Sequence, residues 1–82
     1  MPVVRLAGSI ARDLAGGADE VEVRATTFGA LVRELEARFA GLGRAAERGM
    51  ALAVDGVIVQ GDYAASFADA REVVLIPAIG GG

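Results

Sequence analysis

Residues 72–82 read Glu-Val-Val-Leu-Ile-Pro-Ala-Ile-Gly-Gly-Gly, a short apolar run followed by a proline neck and a glycine-rich end. Residues 73–76 are β-branched or leucine, which favours a strand, and Pro77 stops the run. A strand that is apolar on both faces is typical of one that is covered on both sides. The stretch therefore predicts a last strand over residues 72–76 at a covered position in a sheet.

Side chains alternate between the two faces of such a strand. Val73 and Leu75 are therefore predicted to face the core, and Val74 and Ile76 to face the opposite side. That opposite face needs a cover of its own, so either the sheet bends around it or it is a partner surface. We expect Val74 and Ile76 to join Pro77 in docking partners.

Upstream of this strand the sequence predicts four further strands. Their signals are β-branched runs, an alternation of apolar and charged residues, and a two-residue turn at Asp55-Gly56. The predicted ranges are residues 3–6, 20–24, 50–54 and 57–59. The first two resemble a hairpin with a long connection.

One main helix is predicted between these strand pairs. Thr26-Thr27 offers an N-cap hydroxyl before Phe28, and apolar residues at three- and four-residue spacing continue to Phe39. Gly41 and Gly43 then supply the stop.

The connections carry weaker signals. Residues 7–18 are open between a loop and a short helix that ends at a glycine pair. Residues 44–49 are predicted to be a polar connection. Residues 61–69 are predicted to be turn-rich, with Tyr63 and Phe67 tucked beneath the sheet.

The predicted order is strand, strand, helix, strand, strand, strand. With 82 residues the chain has room for one domain, which we place at residues 1–77, followed by a flexible glycine-rich tail over residues 78–82. One helix can cover one face of the sheet. The expected fold class is α+β, a mixed sheet of about five strands packed on one main helix.

The composition excludes several kinds of chemistry. The chain has no His, Cys or Lys, so imidazole catalysis, thiolate chemistry and Schiff bases are excluded. The few Ser and Thr hydroxyls have no ordinary activating base, and the carboxylates show no calcium-loop spacing, so we expect no catalytic side chain and no metal site. The net charge of −3 disfavours a nucleic-acid partner, and no apolar run is long enough to predict a membrane helix. We expect a cytoplasmic protein.

Residues 41–46, Gly-Leu-Gly-Arg-Ala-Ala, formally match the dinucleotide fingerprint G-x-G-x-x-G/A. That fingerprint must follow a strand and open a helix, whereas this copy follows a predicted helix. Helix termination is the better interpretation.

The length of the glycine-rich end also suggests a function. Five residues beyond Pro77 can extend about 17 Å, and glycine passes close to surfaces that a Cβ would strike. Gly80 and Gly81 could therefore thread a narrow channel and deliver the carboxylate of Gly82 to an active site on another protein. Contacts of Pro77 and Ile79 with that protein could offset the entropy lost on ordering.

With this strand order and a Gly-Gly carboxylate, the sequence resembles the ubiquitin-like β-grasp sulfur carriers, namely the small subunit of molybdopterin synthase and the thiamine-pathway carrier. The resemblance covers nearly the whole chain and is concentrated in residues 72–82 and in Val54-Asp55-Gly56. Its Leu-Ile-Pro neck is more similar to the molybdopterin type. The chain departs from the family where it has Pro77-Ala78 in place of Pro-Pro and residues 68–71 in place of a Gly-Asp turn.

The resemblance implies a β-grasp fold in which the first and last strands pair in parallel at the sheet centre. It also implies that a ubiquitin-activating-type enzyme uses ATP to adenylylate Gly82, and that sulfur from a persulfide donor protein displaces AMP to leave a thiocarboxylate. In molybdopterin synthase the small subunit inserts its tail into the large subunit. By this resemblance, Ala78 and Ile79 of the present chain would belong to the neck that docks there. All catalytic groups, and the ATP, would belong to partners, so the chain would be a carrier with no bound cofactor.

Three alternatives stay open. The sulfur could go to thiamine, cysteine or another thio-metabolite instead of molybdopterin. The chain could be a protein modifier that forms isopeptide bonds, although its lack of Lys forbids lysine-linked chains of itself. It could also be an interaction domain with inert glycines.

Overall fold

The structure is a computed structural model that describes residues 1–77. The predicted tail over residues 78–82 lies outside the described residues. In chain order the elements are β1 (Val3–Leu6), α1 (Gly8–Leu14), β2 (Glu20–Glu22), α2 (Phe28–Arg38), α3 (Leu42–Glu47), β3 (Ala51–Val54), β4 (Val57–Val59) and β5 (Val73–Ile76).

The strands of the described part form one mixed sheet in the order β2-β1-β5-β3-β4. The last strand, β5, lies in the middle, parallel to β1 and antiparallel to β3. β1 and β2 form the predicted antiparallel pair, with α1 in the long connection. The α+β class, the strand order and the central parallel pair are therefore confirmed, and the fold is a ubiquitin-like β-grasp.

The hydrophobic core lies between the helices and one face of the sheet. From β5 it receives Val73 and Leu75, which are 3% and 0% exposed. α2 contributes the predicted stripe, whose first four members are nearly inaccessible to solvent: Phe28, Leu31, Val32 and Leu35. The last predicted member, Phe39, is the C-cap of the helix and is partly buried. This helix begins where predicted, because the Thr27 hydroxyl accepts a hydrogen bond from the N–H of Ala30 at 3.3 Å.

The prediction of a polar connection over residues 44–49 is wrong, because α3 spans Leu42–Glu47. Leu42 and Ala46, four residues apart, are both buried and give the helix a short apolar stripe.

The predicted helix stop at Gly41 and Gly43 is wrong, because α2 already ends at Arg38 with Phe39 as its C-cap. Gly41, at φ 92°, is the N-cap of α3, and Gly43 lies within α3. Residues 41–46 therefore open a helix, which contradicts their interpretation as helix termination. They follow α2 and not a strand, so the dinucleotide fingerprint still lacks the strand that must precede it.

Three strand boundaries differ from the prediction for a physical reason. β3 begins at Ala51, since the N–H of Met50 donates to the Ala46 carbonyl at the end of α3. β2 ends at Glu22, since the backbone N–H groups of Arg24 and Ala25 donate to the carboxylate of Glu34 instead of to a neighbouring strand. β5 begins at Val73, since the N–H of Glu72 donates to the Asp55 carboxylate.

The connections resolve as one helix and one anchored loop. Residues 7–18 contain α1, whose Ile10 and Ala11 enter the core. In the loop between β4 and β5, Phe67 is buried as predicted. The expectation for Tyr63 is wrong: it is 48% exposed and stacks on Phe28, with ring centroids 5.5 Å apart.

Candidate functional site

The candidate site begins on the sheet face that the helices leave uncovered, here called the outer face. Val74 and Ile76 of β5 lie on it and are half-buried, while Val73 and Leu75 point into the core. The alternation predicted from the sequence is therefore confirmed. Pro77 follows directly and is exposed.

Strand register places Val74 in the middle of a row that crosses the sheet. Arg5 of β1 lies on one side of Val74, and Ala53 of β3 lies on the other. Beyond Ala53 the row reaches Ile58 of β4, and Ile58 is 50% exposed. The outer face is consequently apolar over β5, β3 and β4.

The opposite end of the same row is charged. Arg5 lies 3.8 Å from the Glu20 carboxylate across the β1–β2 pair, and both side chains are mostly exposed. An exposed pair of this kind contributes little to stability. It does give the apolar part of the outer face a polar border, as the rim of a protein interface commonly has.

Five of the predicted site residues lie outside the described residues: Ala78, Ile79, Gly80, Gly81 and Gly82. What the structure describes is the base from which they extend. β5 hydrogen-bonds to a strand on each side, so Pro77 leaves the sheet from its central strand. A central strand held on both edges is a rigid base for whatever follows it.

Ala53, Ile58 and Asp55 of the site region were not singled out as site residues by the sequence. The exposure of Ile58 follows from β4 lying at the edge of the sheet, which periodicity alone does not reveal. Asp55 has φ 49°, and Gly56 has φ 83°, so the predicted primed turn is present. The Asp55 carboxylate, however, reaches residues 71 and 72, a contact too distant in sequence for any local pattern.

Elsewhere in the described residues, one carboxylate has a clearly displaced pKa. Backbone hydrogen bonds from Gly41 and Arg44, at 2.9 and 3.0 Å, hold the pKa of Glu36 below its ordinary value. This carboxylate caps α3 and lies in the helix layer, away from the outer face. Its role is structural.

Within residues 1–77, acidic side chains do not gather into any group of three or more that could hold a metal ion. The same part of the chain contains no helix with the length and apolar character needed to span a bilayer.

Comparison with known proteins decides the family. A sequence model described as the ThiS family matches residues 9–82, nearly the whole chain. The chain belongs to the ThiS family. It is thus one of the ubiquitin-like sulfur carriers that its sequence resembles. A search of curated proteins gave no match.

Two solved structures share the fold of this ThiS-family chain. Mycobacterium tuberculosis CysO, described as an antigen, has 25% identity and a TM-score of 0.73, covering 94% of this chain and 98% of its own. CysO in the Amycolatopsis orientalis BexX/CysO complex has 23% identity and a TM-score of 0.73, covering 98% of each chain. The second likeness shows the fold.

Proposed function

We propose that this chain carries sulfur as a thiocarboxylate on Gly82. In the first step the Gly82 carboxylate attacks the α-phosphate of ATP, which forms an acyl adenylate and releases pyrophosphate. In the second, a persulfide sulfur attacks the acyl carbon and AMP leaves. Reductive cleavage of the sulfur–sulfur bond by a thiol of the donor system then leaves the thiocarboxylate. Membership of the ThiS family, through a match that extends to residue 82, is the observation that supports this function.

Both steps need catalytic groups that the chain itself does not offer. It has no His, Cys or Lys, so the activating enzyme, of the ubiquitin-activating type, supplies the ATP site, and a separate protein supplies the persulfide. The chain acts as carrier and co-substrate and not as the catalyst. Such activation belongs in the cytoplasm, where ATP is available.

The outer face is the proposed docking surface for these partners. Val74 and Ile76 are half-buried, and Ile58 is half-exposed, so each has apolar surface left to bury against a partner. Pro77, Ala78 and Ile79 would continue this contact toward the partner's active site. Gly80 and Gly81 would then thread the channel, because residues without a Cβ fit where space is narrowest.

The first proposed destination of the sulfur is the large subunit of molybdopterin synthase. The Leu-Ile-Pro neck at residues 75–77 supports this destination. A second candidate is transfer to cysteine, thiamine or another thio-metabolite, which the likeness to Mycobacterium tuberculosis CysO favours over a molybdopterin enzyme. The two share the thiocarboxylate and differ in the enzyme that accepts it.

Reconstitution tests the shared step. The chain is incubated with an activating enzyme of the ThiS-carrier type, MgATP and a persulfide donor, and its intact mass is recorded. We expect a gain equal to the exchange of one oxygen for one sulfur, and no gain for a chain that lacks Gly82. No gain in the native chain with any such enzyme would overturn the carrier function. Adducts to protein lysines that survive thiol would favour the protein modifier.

A second experiment with the thiocarboxylated chain distinguishes between the two proposed destinations of the sulfur. It is offered in parallel to a molybdopterin synthase large subunit with its pterin precursor and to a cysteine synthase with an activated serine. Conversion of the pterin supports the first destination, and loss of the thiocarboxylate only in the second reaction supports the other.

A further inference from the structure

The register of β5 is not fixed by the features that normally fix a strand. Residues 73–76 are all apolar, so a shift that brings Val74 into the position of Val73 would still place apolar side chains on both faces, whereas the opposite shift would bring Glu72 into the core. β5 also follows β4 through residues 60–72, a connection far longer than a hairpin turn, and it pairs with β1 and β3 instead of β4.

The Asp55 carboxylate makes contacts that can fix the register of β5. Its Oδ1 accepts the backbone N–H of Arg71 at 2.9 Å and that of Glu72 at 2.8 Å. The N–H of Asp55 in turn donates to the carbonyl of Glu72 at 2.9 Å. Three hydrogen bonds therefore tie the β3–β4 turn to the two residues that enter β5.

These three hydrogen bonds can form in only one register of β5. Of the neighbouring amides, that of Ala70 donates to the Phe67 carbonyl, and Val73 already lies in the ladder between β1 and β3. Phe67 is itself anchored, since its N–H donates to the Thr26 carbonyl at 2.7 Å. Residues 68–72 nevertheless lie between that anchor and β5, and they are enough to absorb a shift of one residue.

We propose that Asp55 is a positioning residue that sets the register of β5 and, through it, where the glycine-rich end begins. A shift of one residue would move Pro77 by about 3.3 Å along the strand and exchange Val74 and Ile76 with core residues. Misplacement by even about 1 Å can cost roughly 100-fold in a reaction rate. The consequence for sulfur transfer rests on the proposed function, whereas the register itself does not.

Three variants test the proposal by NMR. Asp55→Gly removes the carboxylate at a φ of 49°, which glycine adopts without strain, and Asp55→Asn keeps an acceptor oxygen. Asp62→Ala is the matched control, because its carboxylate accepts the N–H of Ala64 inside the loop and does not reach β5. Cross-strand contacts between Ala53 and Val74 report the native register.

We expect the native chain, Asp55→Asn and Asp62→Ala to show one register. In Asp55→Gly, we expect a second set of signals from residues 72–77, because the ratio of native to shifted register falls by roughly tenfold. A single native register in Asp55→Gly would overturn the proposal. So would loss of the whole fold in both Asp55 variants, because Asp55 would then act on stability and not on register.

The rate of thiocarboxylation gives a second readout that a purely stabilising role would not change. At carrier concentrations well below KM, the rate for Asp55→Gly should fall in proportion to its native-register fraction, and Asp55→Asn should restore it. An unchanged rate beside a mixed register would overturn the link to the tail. If the native chain receives no sulfur at all, the proposed function fails while the NMR result still decides the register.

Discussion

The two faces of β5 allow one substitution to be compared at two neighbouring residues. Val73→Asp places a carboxylate in the core, whereas Val74→Asp places it on the outer face, next to Arg5 in the adjacent strand. Val57→Asp is the matched control, because Val57 is 64% exposed and belongs to the row of Val54 and Val73, on the opposite face. We expect Val73→Asp to unfold the chain and Val74→Asp to leave it folded but poorly recognised.

The magnitudes follow from burial. Removing the 3%-exposed side chain of Val73 forfeits about 1.5–3 kcal/mol, and an unpaired buried charge adds about 3–5 kcal/mol. That total approaches the whole stability of an 82-residue domain, which is roughly 4–12 kcal/mol. Val74 is half-buried, and an Asp there pairs with Arg5 across the strands, so the net cost is about 1 kcal/mol or less.

Recognition by the activating enzyme should be strongly weakened by Val74→Asp, although the same substitution has little effect on stability. Burying a carboxylate in a partner interface in place of valine costs about 2–4 kcal/mol, or roughly 30-fold to 1,000-fold in affinity. Urea denaturation measures stability, and titration of the carrier into the activation reaction measures its apparent KM. A Val74→Asp chain that unfolds, or one with the apparent KM of the native chain and of Val57→Asp, would refute the assignment of the outer face.

Three further substitutions test the helix layer. Gly43→Ala should destabilise the chain by about 1–3 kcal/mol in urea, since its Cβ would lie 2.5 Å from the Val32 carbonyl oxygen, whereas Gly8→Ala, with nothing within 4 Å, should not. Equal stability of the two variants would contradict this packing. Thr27→Ala should cost about 1 kcal/mol through loss of the α2 cap, and a thermal midpoint equal to that of Thr27→Ser would show that the cap contributes nothing. The pKa of Glu36 is lowered in the folded chain, so the contribution of its carboxylate to stability is complete above the ordinary pKa of roughly 4.3 and is lost as the pH falls toward the lowered pKa. Glu36→Gln should lack this part of the acid dependence of stability. Identical curves of stability against pH for the native chain and Glu36→Gln would show that the carboxylate makes no such contribution.

The fold could be predicted from the sequence where local pattern and final environment agree. The stripe that begins at Phe28 becomes the buried face of α2, and alternation in residues 73–76 correctly assigns Val74 to the outer face. Both signals are periodic, and the sheet and the main helix each have one covered side that matches the period.

The elements that were missed depend on contacts between distant residues. α3 has only six residues, and its first turn is capped by Glu36 of another helix, so no local pattern indicates it. Tyr63 and Phe67 are both aromatic residues in the same turn-rich segment, yet the Phe67 N–H donates to the Thr26 carbonyl, whereas the Tyr63 carbonyl accepts the N–H of Gly29 in α2. Asp55 was predicted as a turn residue from its glycine neighbour, but its contact with residues 71 and 72 emerges only when β3 and β5 pair.

The central claim, that this chain carries sulfur on its terminal carboxylate, is tested most directly by the mass of its last tryptic peptide. Trypsin cleaves after Arg71, and the absence of later Lys or Arg leaves residues 72–82 as one peptide. In chain isolated under non-reducing conditions from cells with active sulfur transfer, we expect a fraction of this peptide to carry one sulfur in place of one oxygen. Fragmentation should place the exchange at Gly82. A peptide of unmodified mass in such cells, or an exchange at any other residue, would contradict the claim.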